Sequence, residues 1–337
     1  MMLKGGKGRI TALLGFLFVL VAAWFLGRSF LQGVQEAGGL GNLLQFNIPL
    51  FLAASVVMAG HLTLAGYTWA LVTSASGGHL GFRKGFSIHF LSQVGKYVPG
   101  KVWAAMGKYS LSRSSGLSTG QTGQGLILET VFIVLGCLIT TLPLIPLTAE
   151  NSGMGVGTGM AIALGLSVVL LASIHPVLFR RLTGLVARVM KSSYDLRQCS
   201  FSEMLRILPV YVAVFLLLGG AYWLMCLSFG LNLPFFPGIF VYPAAMGIGY
   251  LAIFAPGGLG ARELTTVWLV HLILPGCEPG LAELTAIVAR LWITIGEAIA
   301  FGISFPIYGV TPSSLKKMLT ASESSSDRDV AQGDKGQ

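Results

Sequence analysis

Eight apolar stretches recur along the chain, separated by short segments that are polar or rich in Gly and Pro. Each is close to or above the roughly 20 residues that an α-helix needs to cross a bilayer. Runs of this length are apolar on every side of a helix, which is typical of helices surrounded by lipid or by other helices. We therefore expect an all-α, polytopic membrane helix bundle. The stretches lie at 10–27, 47–73, 121–147, 153–179, 205–230, 237–255, 258–275 and 281–306.

The composition supports a membrane protein over a soluble one. Of the 337 residues, 54% are hydrophobic and only 10% are charged, whereas soluble domains carry about 25% charged residues. The first stretch follows Lys4, Lys7 and Arg9, as in a signal peptide, but it ends without a convincing small-residue cleavage site. We expect it to remain as an uncleaved helix.

The C-terminal segment differs from the rest of the chain. Residues 311–337 are polar, rich in Ser and Asp, and without apolar periodicity, which predicts a disordered cytoplasmic tail. We expect a single membrane domain over residues 1–310, with repeat halves at about 10–150 and 153–306.

Basic residues are distributed unevenly between the loops. Six Lys and Arg residues lie in 74–120 and six in 180–206, whereas 28–46 carries one and the loop at 231–236 carries none. Because basic loops remain cytoplasmic, we expect an inner-membrane protein with both termini inside. The net charge of +9 then faces lipid headgroups and not nucleic acid. A homo-oligomer and envelope-biosynthesis enzymes remain open as partners.

A helix break separates two limbs near position 100. The run Gly95–Lys101 matches the first seven places of a phosphate-binding P-loop, but Val102 replaces the hydroxyl that binds magnesium and Pro99 removes a backbone donor. We therefore expect no nucleotide site. Pro99 and Gly100 instead predict a broken helix, and irregular backbone at membrane depth is tolerated only within protein or along a polar cavity.

Lysines flank this break. Lys101 and Lys108 are seven residues apart and therefore share one helix face, and Lys96 precedes the break. A row of cations beside a fresh helix N-terminus is suited to phosphate groups. The alternative is an amphipathic cytoplasmic helix whose lysines contact bulk lipid without transporting it.

A second Pro-Gly helix break resembles the first. The run 252–264 sets a Pro-Gly pair between apolar limbs and follows it with charge, and acidic residues Glu129 and Glu283 lie in the helices after the two breaks. Loop charge predicts that the two broken segments start from opposite sides, as in inverted-repeat transporters. Residues 237–275 form either two crossings or one re-entrant hairpin. The residues of this break are Pro256, Gly257, Gly258 and Gly260, followed by Arg262 and Glu263.

The last apolar stretch contains a charged stripe. Glu283, Arg290 and Glu297 are spaced by seven residues and so lie nearly on one helix face. Charges within a bilayer usually face the interior of a bundle, so we expect Arg290 to find an acid there. Its candidate partners are Glu129, Glu263, Glu283 and Glu297. A structural ion-pair network that fixes helix register is the alternative interpretation.

The two motifs "GKYVPGKVWA" and "PGGLGARE" together resemble the lysylphosphatidylglycerol synthase membrane-domain family, also called the flippase-like domain family. The resemblance covers about residues 5–310. It implies a lipid-translocating membrane domain, and because the chain ends after that part we expect no aminoacyl-transferase activity. Lys96, Pro99, Gly100, Lys101 and Trp103 match the first motif, and Pro256, Gly257, Gly258, Gly260, Arg262 and Glu263 match the second.

These observations lead to one functional prediction. We expect translocation of a charged phospholipid or lipid-linked intermediate, with membrane lipids (anionic, aminoacylated or polyprenyl-linked) as partners and without a metal or cofactor. An intramembrane lipid-modifying enzyme and a scaffold for envelope-lipid enzymes are the alternatives. The candidate substrate-binding residues are Lys96, Lys101, Lys108, Glu129, Arg262, Glu263, Glu283, Arg290 and Glu297.

Overall fold

The computed structural model describes residues 46–97, 102–151, 153, 155–173, 200–252, 255–278 and 280–309, with six isolated positions between 24 and 35. Within these ranges all regular secondary structure is helical, which confirms the predicted all-α bundle. The α-helices are α1 (Ile48–Ala75), α2 (Phe82–Gln93), α3 (Val102–Ser114), α4 (Thr119–Thr141), α5 (Leu144–Asn151), α6 (Val156–Ser173), α7 (Phe201–Ser228), α8 (Phe235–Leu251), α9 (Ala261–Ile273) and α10 (Leu281–Tyr308). Single 3-10 turns lie at Val94–Tyr97 and Pro256–Gly258.

Four of these helices are long and apolar enough to cross a membrane, namely α1, α4, α7 and α10. They coincide with predicted stretches, but the stretch 121–147 was wrong as one continuous helix. It divides into α4 and α5 at Pro143, whose ring nitrogen has no hydrogen to donate to the preceding turn. The first predicted stretch, the break at Pro99 and Gly100, and the tail at 311–337 lie outside the described residues.

Side-chain caps fix where several long helices begin. Asn47 Oδ1 accepts a hydrogen bond from Leu50 N at 3.1 Å, and α1 therefore starts at Ile48. Ser118 and Ser200 each form a capping box with the residue three positions later, at the starts of α4 and α7. These caps satisfy backbone N–H groups that have no partner within the helix.

Hydrogen bonds between helix termini define two ends of the bundle. At the first end, Gln121 Nε2 at the start of α4 donates to Gly77 O beyond the end of α1, at 2.8 Å. At the second end, Asn47 N before α1 donates to Ser228 O at the end of α7, at 2.7 Å. Helix α1 therefore runs antiparallel to both α4 and α7 between these two ends, as expected for membrane spans.

The first hairpin, formed by α2 and α3, opens at the first end. Helix α2 follows α1 after a short turn, and Tyr308 OH at the end of α10 donates to Leu111 O near the end of α3, at 2.7 Å. With 12 and 13 residues, these helices are each about 20 Å long at 1.5 Å per residue. That length does not cross a hydrocarbon core of about 30 Å, so the hairpin is re-entrant.

The second hairpin, formed by α8 and α9, opens at the opposite end. Trp223 Nε1 near the end of α7 donates to Leu233 O just before α8, at 3.0 Å, and α9 leads into the start of α10. Helix α9 has 13 residues and is likewise too short to cross. Helix α8 has 17 residues, at the lower limit of a span, but it leads into a tip that meets the first hairpin, so the described part of 237–275 forms a re-entrant hairpin. The 3-10 turns at the tips of the two hairpins contact each other inside the bundle.

Helix α10 shows how the spans divide between lipid and protein. Leu291, Ile295 and Ile299 are each about 60% exposed and recur every four residues, so they form a lipid-facing stripe. Glu283 and Arg290 are 4% and 8% exposed on the opposite face. The charged stripe therefore faces the bundle interior at these two positions, and only Glu297 is partly accessible.

Two adjacent glycines in α7 provide a test of how closely α7 packs against α8. A Cβ at Gly219 would lie 2.8 Å from the backbone carbon of Ile239 and would overlap its oxygen, whereas a Cβ at Gly220 would approach only Val57 Cγ1, at 4.0 Å. We expect Gly219→Ala to lower the free energy of unfolding by about 1–3 kcal/mol, because α7 and α8 must separate. Gly220→Ala is the matched control and should be neutral or stabilising by up to about 1 kcal/mol. Equal effects in detergent unfolding would contradict the close contact.

Candidate functional site

Charged side chains gather where the two hairpin tips meet. Lys96 lies in the first 3-10 turn, Arg262 and Glu263 lie in the first turn of α9, and Arg290 and Glu297 lie on α10. We call these five residues the central cluster. It combines both hairpins with one long span, and its members are separated by up to 201 positions in sequence.

Lys96 and Glu297 form the most accessible ion pair of this cluster. Lys96 Nζ lies 2.5 Å and 2.6 Å from the two carboxylate oxygens of Glu297. The two side chains are 17% and 22% exposed. The pair joins the tip of the first hairpin to α10, and it is the point of the cluster that an external group reaches most easily.

Arg290 joins α10 to the second hairpin. Its Nη2 donates to Gly257 O at 3.2 Å, and its Nε lies 3.6 Å from Glu263 Oε1. Glu263 Oε2 accepts a hydrogen bond from Gly260 N at 2.7 Å and so caps α9. Of the four acidic partners considered from the sequence, the structure places Glu263 within ion-pair distance of Arg290.

The backbone of the second tip depends on glycine. Gly257, Gly258 and Gly260 have φ values of 60°, 71° and 81°, in a region that residues with a Cβ seldom adopt. Their conformation turns the chain from α8 into α9 and directs the Gly257 carbonyl towards Arg290. The turn therefore supplies a backbone acceptor to the cluster.

Arg262 is held between backbone and an aromatic ring. Its guanidinium carbon lies 5.5 Å from the centre of the Tyr250 ring, and a Cβ at Gly258 would lie 2.8 Å from its Nε. A Cβ at Gly249 would lie closer still, 2.5 Å from the same Nε. Because the two glycines lack side chains, the buried aliphatic part of Arg262 packs directly against the backbone.

A second group of polar side chains, the buried triad, lies on α2, α3 and α4. Lys108 Nζ lies 2.6 Å and 2.8 Å from the two oxygens of Glu129, and His89 Nδ1 lies 3.5 Å from Glu129 Oε1. All three residues are 5–8% exposed. Lys108 also lies 4.7 Å from the Trp69 ring centre. Helix α4 contains no Lys or Arg, and Lys108 of the first hairpin supplies the cation for Glu129.

The structure thus divides the residues expected to bind substrate among three places. Five form the central cluster, Lys108 and Glu129 belong to the buried triad, and Glu283 lies 3.8 Å from His271 Nε2 near the second end. Lys101 lies outside the described residues. Among those that are described, no three His, Cys, Asp or Glu side chains are arranged to hold a metal ion.

Sequence reasoning missed two contributors. His89 had no motif spacing to mark it. His61 is buried in α1, hydrogen-bonds through Nδ1 to Val214 O at 2.8 Å, and lies within electrostatic range of Glu297, Lys96 and His89. It is therefore close to members of both the central cluster and the buried triad.

Comparison with protein families matches residues 12–300 to the family described as lysylphosphatidylglycerol synthase TM region. The chain belongs to this family. The match spans both hairpins and all of the central cluster, and the family is membrane-associated and related to lipid. Comparison with curated proteins finds no match. The protein is accordingly a multi-pass membrane protein of the lysylphosphatidylglycerol synthase TM family.

Proposed function

We propose that the protein translocates a charged phospholipid or lipid-linked intermediate across the membrane. The observation that carries the proposal is the meeting of two re-entrant tips around the central cluster. Hairpins that start from opposite ends and meet inside a bundle are the arrangement that alternating-access transporters use around a substrate site. Charged residues at this depth usually mark a substrate path. Membership of a lipid-related membrane family supports the same function.

The mechanism that we propose is an exchange of ion pairs. A headgroup phosphate arriving beside α10 would take the place of the Glu297 carboxylate on Lys96, the most accessible pair of the cluster. Arg262 and Arg290 would then hold the phosphate while one tip moves away from the other, and the acyl chains would remain in lipid. The carboxylate returns to Lys96 once the headgroup leaves, which closes the path again.

Transbilayer movement in proteoliposomes tests this proposal. Phospholipids labelled on an acyl chain keep their natural headgroup, and an impermeant reductant that quenches the label reports the fraction in the outer leaflet. We expect quenching beyond the outer-leaflet fraction in vesicles that contain the protein, compared with protein-free vesicles. Mass spectrometry of the recovered lipid separates the alternatives, because a changed headgroup would favour a lipid-modifying enzyme. Absence of movement by a folded protein would overturn the proposal.

We further propose that the first end of the bundle faces the cytoplasm of the inner membrane. Arg83 and Lys84 at the start of α2 and Arg113 at the end of α3 lie at that end, as the positive-inside rule requires. Impermeant maleimide applied to intact spheroplasts should label a cysteine placed at the exposed Glu278 and leave one at the exposed Arg83 unlabelled. A cysteine-free background is needed, although partial burial raises the pKa of the native Cys277 thiol to about 11 and slows its reaction. The reverse labelling pattern would invert the orientation.

A further inference from the structure

Arg262 is the member of the central cluster whose charge is least compensated. It is 6% exposed, and its Nε has no hydrogen-bond partner. Among the residues that the structure describes, Arg262 has no carboxylate within 4 Å, and its guanidinium carbon lies 5.5 Å from the centre of the Tyr250 ring. Glu297 is within electrostatic range of Arg262 but pairs directly with Lys96. A buried guanidinium in this state is costly unless an anion joins it. Its planar fork is suited to a phosphate, which it binds through two parallel hydrogen bonds.

The charge balance of the cluster points in the same direction. Its three cations are Lys96, Arg262 and Arg290, and its two carboxylates are Glu263 and Glu297. Among these five side chains, which the structure describes, the cations therefore exceed the carboxylates by one. A headgroup with a single phosphodiester charge neutralises this excess, whereas a zwitterionic headgroup leaves it in place and a net positive headgroup increases it.

A second unpaired atom restricts the headgroup further. Glu263 Oε1 is buried and accepts no hydrogen bond, and its closest cation is Arg290 Nε at 3.6 Å. The other oxygen of the same carboxylate is already occupied by the Gly260 N–H at 2.7 Å. A headgroup hydroxyl would satisfy Oε1 without adding charge, and Arg262 is the adjacent residue in the same helical turn.

We infer that the central cluster recognises an anionic phosphodiester lipid whose headgroup carries a hydroxyl, with the phosphate on Arg262 and the hydroxyl on Glu263. This inference rests on the proposed function and specifies its substrate class. It also separates the chain's substrate from the aminoacylated lipid in the family's description. A lysylated headgroup brings two ammonium groups to a site whose carboxylates already face Lys96 and Arg290.

Four acyl-labelled lipids test this selectivity in the same proteoliposomes: phosphatidylglycerol, its lysyl derivative, phosphatidylethanolamine and phosphatidylcholine. We expect phosphatidylglycerol to move about tenfold faster than the other three, the ratio that one additional charge-assisted hydrogen bond produces. Equal or faster movement of the lysyl or zwitterionic lipids would overturn the inference and leave translocation intact. If no lipid moves above the protein-free rate, translocation itself fails.

Substitutions of Arg262 sharpen the test. Arg262→Gln removes the excess charge, and we expect the advantage of phosphatidylglycerol over phosphatidylethanolamine to disappear. Arg262→Glu reverses the excess, and we expect the lysyl derivative to become the faster lipid. Arg206→Gln is the matched control, because Arg206 is exposed on α7, and it should keep wild-type selectivity. If Arg262→Glu does not fold, the rate of phosphatidylglycerol relative to phosphatidylethanolamine in Arg262→Gln decides the question. A relative rate equal to that of the wild type would contradict a phosphate site at Arg262.

Discussion

Lys108→Met is expected to lower the free energy of unfolding by about 3–5 kcal/mol, because it leaves the Glu129 carboxylate buried without its cation. Both oxygens of Glu129 lie within 2.8 Å of Lys108 Nζ, and neither residue is more than 7% exposed. His89 is the remaining base within reach, at 3.5 Å, and Tyr211 on α7 and Tyr250 on α8 offer no charge. Unfolding in mixed micelles at increasing fractions of a denaturing detergent measures the change.

The double variant Lys108→Met with Glu129→Gln decides what the pair contributes. It contains neither an unpaired charge nor an unpaired carboxylate, so its unfolding free energy should return to within about 1–2 kcal/mol of the wild type. Lys84→Met on the exposed face of α2 is the control for removing a lysine, and it should change stability by less than about 0.5 kcal/mol. Additive losses in the double variant would show that Lys108 and Glu129 do not form a pair.

The membrane-spanning helices are predictable from the sequence because contact with lipid requires long apolar helices. Helices α1, α7 and α10 face lipid on one side, and their length and hydropathy follow from that contact. Helices α2 and α3 are surrounded largely by protein, so they tolerate His89, Lys108 and several serines and do not stand out by hydropathy. Only the Pro-Gly pair marked the first hairpin in the sequence.

The pairing of charges was less predictable than their location. The spacing of Glu283, Arg290 and Glu297 predicted one inward stripe, and two of the three are buried as expected. However, Lys96 and Glu297 are 201 residues apart, and no local rule joins them. The pairing depends on the height along α10 at which each hairpin tip packs, and the tertiary fold sets that height.

The double variant Lys96→Gln with Glu297→Gln is expected to fold normally and to move lipid much more slowly than the wild type. Two amides replace the ion pair by a neutral hydrogen bond, so the tip of the first hairpin should stay against α10. The exchange mechanism needs the cation of Lys96 for the phosphate and the carboxylate of Glu297 to close the path. A purely structural pair would need only the contact.

Acyl-labelled phosphatidylglycerol in proteoliposomes, quenched from outside, is the measurement that tests the exchange mechanism most directly. We predict wild-type movement above the protein-free rate and a decrease of about tenfold or more in the Lys96→Gln, Glu297→Gln variant, since one charge-assisted phosphate contact of about 1.5 kcal/mol or more is lost. Unchanged unfolding of the variant shows that the loss is functional. Movement at the wild-type rate in the neutral variant would contradict the exchange mechanism and leave the central cluster as a structural ion-pair network.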